Sequence, residues 1–591
     1  MCLKKLLLGL ATLLILVALA PPVRAPQPSE TYYELVERWY IIGEDRSISD
    51  NENYTIYNPS WFAQSYEITY PIPTENTRDV NVWSDSSISY EVSRGGGTTA
   101  IKLNFSVSGR SRLTYHISYV ADGWVSGSGP RYRATLGGVT LGPNNFAYHR
   151  YIVRVRGPAG SKLFLKNPDD AQLLENDPPI VQYETSVSAP GSFGGLEAHF
   201  YTQPAYFKLA LTERFVNQST GVSKNVTFDT ILFAHSPSQF AAFAGANLPV
   251  KTMYLDDENN WHGVFDVGDI QPGQSKDLNI GFVYVENVYT PDISKNDVGA
   301  IADVPSGLSS YLEAREYWEV NDPAIGWRAD QIVGTEKKAY EVARKIVEYV
   351  SNYVTYEVTS PRKGALETLS SGRGDCDCFS DLTIALSRAV GLPARMDFGW
   401  GYQENLVGHA WVEFYLPGKG WQPADPTWAK SSGDYLFKLD PIHLLRYVRG
   451  ISSSESASKY TWYDVQPSVE GENVTLLSLT KSEAAQALIQ AGESTINVAS
   501  NLLASHPNEA LAQELDFARA RLEQAKVASD ENAILLAQEA VRHANTVVEA
   551  LGKPPETGFI FPIDPRYLVL ILAVLISVAG VAAIWIHKRR A

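Results

Sequence analysis

Residues 30 to about 292 carry the pattern that most restricts the fold. Short runs of Val, Ile, Thr, Tyr and Phe alternate with polar residues, and clusters of Gly, Pro, Asn and Ser interrupt them. Ile152-Val153-Arg154-Val155-Arg156 and the run Leu278 to Val285 repeat every second residue, the period of a strand with one buried face. Gly95-Gly96-Gly97 and Gln271-Pro272-Gly273 are turn signals. The stretch is too long for one sandwich. It predicts two β-sandwich domains, residues 26–140 and 141–295, divided near Gly137 to Asn145.

From Thr335 the period changes. Ala339, Val342, Ala343, Ile346, Val347 and Val350 fall at three- and four-residue steps, which predicts a helix. A mixed α and β domain is expected over 300–465. Three alanine-rich helical segments follow between Thr480 and Leu551, opened by the capping box Thr480-Lys481-Ser482-Glu483 and broken at His506-Pro507-Asn508 and Ser529-Asp530. They predict a helical bundle or stalk over 476–552.

Both ends carry membrane signals. Lys4-Lys5, an apolar run from Leu6 to Ala20 and small residues before Ala25 predict a signal peptide over 1–25. Tyr567 to Ile586 is twenty residues without a charge, followed by His587-Lys588-Arg589-Arg590. That run predicts one transmembrane helix over 567–586 and a cytoplasmic tail over 587–591. The expected localisation is the cell membrane, single-pass, with an extracellular body. Sequons at Asn53, Asn104, Asn217, Asn225 and Asn473 agree with export. A net charge of −16 speaks against a nucleic-acid partner, which requires a basic face. Beyond Cys2 there are two cysteines, Cys376 and Cys378. There is no disulfide framework, so these thiols need another reason to exist.

Three segments carry chemistry: Gly374-Asp375-Cys376-Asp377-Cys378-Phe379-Ser380-Asp381-Leu382, His409-Ala410-Trp411-Val412-Glu413, and Gly420-Trp421-Gln422-Pro423-Ala424-Asp425-Pro426-Thr427. An ordinary thiol is only slightly ionised at neutral pH. A helix N-terminus favours the thiolate, and Gly374-Asp375 suits a helix start. An imidazole from a strand, His409, can take the proton. A carboxylate ending the next strand, Asp425, can hold the imidazole tautomer. The competing readings are ordinary ones: a buried apolar cysteine, a core histidine, or half a zinc site in Cys-x-Cys, although no second paired motif is present. Helical geometry does not choose between Cys376 and Cys378, which both flank the apolar face.

These blocks, with Arg388-Ala389-Val390-Gly391-Leu392-Pro393-Ala394-Arg395 between the first two, resemble the signature of the transglutaminase-like superfamily. The resemblance covers roughly residues 335–430, with 33 residues from Cys376 to His409 and 16 from His409 to Asp425. It implies a papain-like α+β domain and acyl transfer through a thioester. By position it makes Cys376 the nucleophile, three before Phe379, with His409 as general base and acid and Asp425 as the orienting carboxylate. Cys378 is then structural. The backbone N–H of Cys376 and the side chain of Tyr356 are the candidate oxyanion-hole donors. Trp411, Trp421 and Trp428 are expected to pack the site walls. The second β region resembles the β domain that often precedes such domains. One departure is Asp377, where crosslinking members usually have Trp.

The expected fold class is therefore multidomain: an N-terminal β-sandwich region, an α+β transglutaminase-like (papain-like) catalytic domain, a C-terminal helical segment and one transmembrane helix. The expected function is a cell-surface cysteine peptidase or amidase acting on a protein or peptide substrate, with no cofactor and no metal. The alternatives are a protein-crosslinking transglutaminase and a non-enzymatic adhesion or scaffold protein with a vestigial site.

Overall fold

A computed structural model describes residues 31–136, 147–187, 195–402, 405–432, 435–451 and 457–554. The expected signal peptide, the 567–586 run and the 587–591 tail lie outside the described residues. Among the described residues no helix is long and apolar enough to cross a membrane. The helices present are amphipathic; the last of them, Asp530–Leu551, keeps Glu531, Glu539, Arg542 and Glu549 off its alanine-rich buried face. The expectation of a transmembrane helix, and the single-pass membrane localisation drawn from it, are corrected accordingly.

The chain divides into two compact units between Thr202 and Gln203, not near residue 140. The reason is strand pairing. Tyr148–Arg156 runs parallel to Tyr32–Ile42 in a seven-stranded sheet, and Leu196–Thr202 pairs with Arg131–Leu136. Strands on both sides of the expected boundary thus share sheets. This first unit packs Tyr33, Tyr54 and Tyr115 at its centre.

The second unit is organised around a β-sandwich whose strands are not contiguous in the chain. One sheet has the order Gln239–Ala246, Ser275–Glu286, Ala205–Val216, Ser468–Ser478. The other has Val250–Leu255, Asn260–Ile270, Ser223–Ala234, Ser458–Asp464. Phenylalanine pairs 215–228, 233–282 and 243–265 meet between the sheets. The last strand of each sheet comes from beyond residue 457, so the α+β region is inserted into the sandwich and does not extend to 465.

That inserted region has a four-stranded antiparallel sheet, ordered Gly420–Ala424, Leu406–Leu416, Ala394–Tyr402, His443–Arg449. The helix Cys376–Ala389 packs on its two central strands. Phe379, Leu382 and Leu386 are fully buried. The helix also buries Thr383 and Ser387, whose hydroxyls donate to the Phe379 and Thr383 carbonyls at 2.8 and 2.7 Å, so no partner is needed across the core. Two motif arginines are structural. Arg388 donates to the carbonyls of Glu313, Ala394 and Gly450, and Arg395 pairs with Glu413 across the sheet at 2.6 Å.

The sandwich grips the edge strand His443–Arg449 with side-chain amides. Gln239 donates to the Leu445 carbonyl at 2.8 Å and accepts from its N–H at 2.7 Å. Asn260 does the same at Val448, at 3.1 and 2.8 Å. Each amide satisfies main-chain groups that a buried strand cannot leave bare. Three helices, Lys481–Ser505, Glu509–Val527 and Asp530–Leu551, complete this unit; the first lies on the strand Gln239–Ala246.

Candidate active site

The helix Cys376–Ala389 begins at a tight corner. A Cβ on Gly374 would sit 2.2 Å from the Cys378 Cβ and 2.6 Å from its Sγ, so only glycine lets Cys378 fold back beneath the corner. Cys378 is fully buried, with its sulfur 3.6 Å from Thr359 Oγ1. Asp375, the N-cap, accepts from the Thr359 N–H and hydroxyl at 3.0 and 2.9 Å. Cys376, the first helical residue, retains partial exposure. The structure therefore separates two thiols that helical geometry alone left equivalent.

The sheet supplies the rest. His409 lies on Leu406–Leu416, opposite Gly399. Its Nε2 is 2.8 Å from Asp425 Oδ2. Asp425 follows the strand Gly420–Ala424, and its Oδ1 accepts from the backbone N–H groups of Thr427 and Trp428 at 2.8 and 3.0 Å. The carboxylate thus caps the short helix Pro426–Ser432 and is fixed before it meets the imidazole. Trp428 stacks on His409 with centroids 4.8 Å apart and planes at 20°. A Cβ on Gly401 would lie 2.7 Å from that indole. Trp411 also flanks His409, but Trp421 does not. It packs on Tyr311, Tyr415 and Arg395, which corrects its expected place on the site wall.

A second histidine meets the same carboxylate. His443 Nε2 is 3.1 Å from Asp425 Oδ2, and its Nδ1 is 2.7 Å from Asp440 Oδ1. Tyr435 donates to Asp440 Oδ2 at 2.7 Å. Nothing in the run Asp440-Pro441-Ile442-His443 signals this in sequence.

The charges are unevenly distributed. Burial pushes the Cys376 thiol up to about 12, and the Asp377, Asp375 and Asp425 carboxylates add to the rise; the Ala410 N–H, directed at the sulfur, opposes it. Burial also raises Asp377, with Arg362 and His409 drawing it back. For Asp425 burial would raise the carboxyl, but His409 and His443 hold it far below the usual carboxylate range. For His443 burial would lower the imidazolium, but Asp440 and Asp425 raise it to about 9.

Tyr356, on the two-residue strand Thr355–Tyr356 beside Arg373–Gly374, is 55% exposed. Burial and then the Cys376 charge raise its phenol, so it lies within electrostatic reach of the thiol.

His409, Asp425 and His443 bring three potential metal-ligand atoms within 4.8 Å of one another. Asp425 Oδ2 is already engaged by both imidazoles at 2.8 and 3.1 Å, so the trio satisfies its own polar atoms.

Residues 328–426 match the transglutaminase-like superfamily. Over 206 residues, 30% of this chain, the sequence is 24% identical to the uncharacterized protein YebA of Bacillus subtilis (strain 168). The match covers 27% of that protein, so the chain spans about a quarter of its length. Among solved structures, a candidate cysteine protease from Cytophaga hutchinsonii is 17% identical, covering 47% of this chain and 91% of its own, with a TM-score of 0.35. A candidate protease from Parabacteroides distasonis ATCC 8503 is 10% identical over 67% of each chain, with a TM-score of 0.17.

Proposed function

We propose, from the premise that residues 328–426 are a transglutaminase-like domain and the chain an enzyme of that superfamily, that it hydrolyses peptide or amide bonds through a thioester at Cys376. The observation that carries this reading is the 2.8 Å contact between His409 Nε2 and an Asp425 kept ionised by its four partners. An ionised carboxylate only accepts, so Nε2 carries the ring proton and the Nδ1 lone pair is free to act as a base.

Burial first, and then the neighbouring carboxylates, disfavour the Cys376 thiolate, so the sulfur needs a proton acceptor as it attacks. His409 Nδ1 takes the thiol proton as the sulfur attacks the carbonyl carbon. The oxyanion faces the Cys376 backbone N–H, one of the unpaired donors of a helix start, with Tyr356 as a second donor. The imidazolium returns the proton to the leaving amine, and the thioester forms as the C–N bond breaks. His409 then deprotonates a water, which attacks the thioester and releases the acid and the thiol. Asp377 stands beside the thiol where crosslinking members have Trp. It raises local polarity and builds no aromatic wall against water, which favours hydrolysis over amine transfer.

The test is labelling with a peptide-like thiol-reactive probe, followed by peptide mapping. The label is expected on Cys376, to vanish in Cys376→Ala and to persist in Cys378→Ala. A label on Cys378 that survives loss of Cys376 sinks the assignment. Efficient Cys376-dependent incorporation of a labelled primary amine, with little hydrolysis, makes the enzyme a transglutaminase instead.

A further inference from the structure

Both ring nitrogens of His443 face carboxylate oxygens, Asp440 Oδ1 at 2.7 Å and Asp425 Oδ2 at 3.1 Å. A neutral imidazole has one N–H and can satisfy only one of them; the other contact would set a lone pair against an acceptor. Two ionised carboxylates therefore call for a doubly protonated ring. The surroundings fix it there. Its side chain is fully buried, with Trp411, Trp428, Tyr435 and His409 at centroid distances of 5.2, 4.3, 5.5 and 5.4 Å.

Besides His409, Tyr435 and the Tyr289 phenol, which lines the same gap, the titratable groups around this ring are carboxyls. Asp397 and Glu413 line a gap of about 10 Å³ against His443, with Glu413 spent on Arg395. Glu286 of the sandwich is raised by burial and then by the Asp440 charge. On the substrate side Asp375, Asp377 and Asp425 all act on Cys376. Arg362, whose charge lowers Asp377, already donates to both oxygens of Asp381.

We propose that His443 is a positioning residue: held as an imidazolium between Asp425 and Asp440, it supplies the positive charge that offsets the carboxylates around Cys376 and so sets the pH range in which the Cys376–His409 pair works. This rests on that pair acting as proposed above. It adds a role that the three-residue signature does not contain.

The sign follows from Coulomb's law. Removing a positive charge makes a nearby thiol harder to deprotonate and a nearby imidazolium harder to lose its proton, so both limbs of a pH profile move upward together. A role confined to packing lowers the amplitude without moving the limbs.

The experiment measures the rate of Cys376 alkylation by iodoacetamide across roughly pH 4–10, the range in which thiols and imidazoles titrate, read by peptide mass spectrometry on the full chain. His443→Gln keeps a donor but loses the charge. Its alkylation onset is expected to rise by roughly one pH unit. Adding Asp440→Asn, which removes one charge of the opposite sign, is expected to bring the onset most of the way back. An unmoved onset in a folded His443→Gln protein overturns the proposal, as does a double variant no closer to wild type than the single. If His443→Gln does not fold, histidine-selective ¹⁵N spectra of the wild-type protein decide. Two protonated ring nitrogens on His443 at neutral pH support the proposal, and a neutral tautomer overturns it. His409→Gln separates the two levels: a profile unchanged by that substitution removes the Cys376–His409 pairing and this inference with it, whereas a profile altered by His409→Gln but not by His443→Gln removes this inference alone.

Discussion

The two walls of the candidate site are built on opposite principles. On the sheet wall every contact is redundant: Asp425 is held by two backbone N–H groups and two imidazoles, and His443 by two carboxylates. On the helix wall the thiol stands among acids with one backbone N–H in its favour, and Asp375 Oδ1 is buried without a partner. Orientation and charge compensation reside in the sheet, and the helix contributes the proposed nucleophile, whose thiolate burial disfavours. On the proposed mechanism the difference teaches that the sheet, through its proton acceptor, does the activating of this cysteine.

The sharpest way to break that contrast is Asp425→Asn. With the carboxylate gone the His409 tautomer is no longer held, and turnover is expected to fall by about four orders of magnitude, while Cys376 stays accessible to alkylation at high pH. Steady-state rates on whichever peptide substrate is found measure this, and a loss below tenfold would mean that the sheet wall is not the organising side.

A smaller effect tests the helix wall as architecture. Gly374→Ala drives a methyl into Cys378, whose Cβ lies 2.2 Å from the new atom. Overpacking of this kind costs about 1–3 kcal/mol. A fall in melting temperature is expected in calorimetry, and an unchanged transition would mean that the corner relaxes freely.

The smallest effect is electrostatic. Asp377→Asn removes one of the acids that push the Cys376 thiol up. The onset of iodoacetamide alkylation is expected to move down by about half a pH unit, opposite in direction to His443→Gln. A shift upward, or none, would mean that Asp377 does not act on the thiol as a charge.

What was legible in the sequence follows the same division. Cys376, His409 and Asp425 sit in blocks whose neighbours have local jobs: Gly374 opens the corner, Arg388 and Arg395 brace the sheet, and Pro426 starts the helix that Asp425 caps. Local constraints leave local patterns. His443 and Asp440 leave none, because they meet Asp425 only after the strand Ala394–Tyr402 pairs with His443–Arg449. Periodicity identified strands between 30 and 292 but not their partners, so the boundary near 140 and the end at 465 were misplaced. The side-chain amides of Gln239 and Asn260 that mimic a strand were equally silent. The helix N-terminus at Cys376 was legible, and so were Asp375 and Asp377 beside it, but the burial that raises the thiol first was not.

The insertion of the α+β region into the sandwich has a consequence for how the chain is made. During synthesis Ala205–Val216 and Ser223–Ala234 emerge long before Ser468–Ser478 and Ser458–Asp464, with which they pair. Until then each sheet presents an open edge, the feature that invites wrong partners. Closing those edges early would require bringing distant segments together at an entropic cost that grows with the intervening loop. A folded insert shortens that loop, since it converts a long floppy connection into a compact body. Loop entropy favours assembly from the inside outward, with the α+β insert folding before the sandwich closes around its two ends.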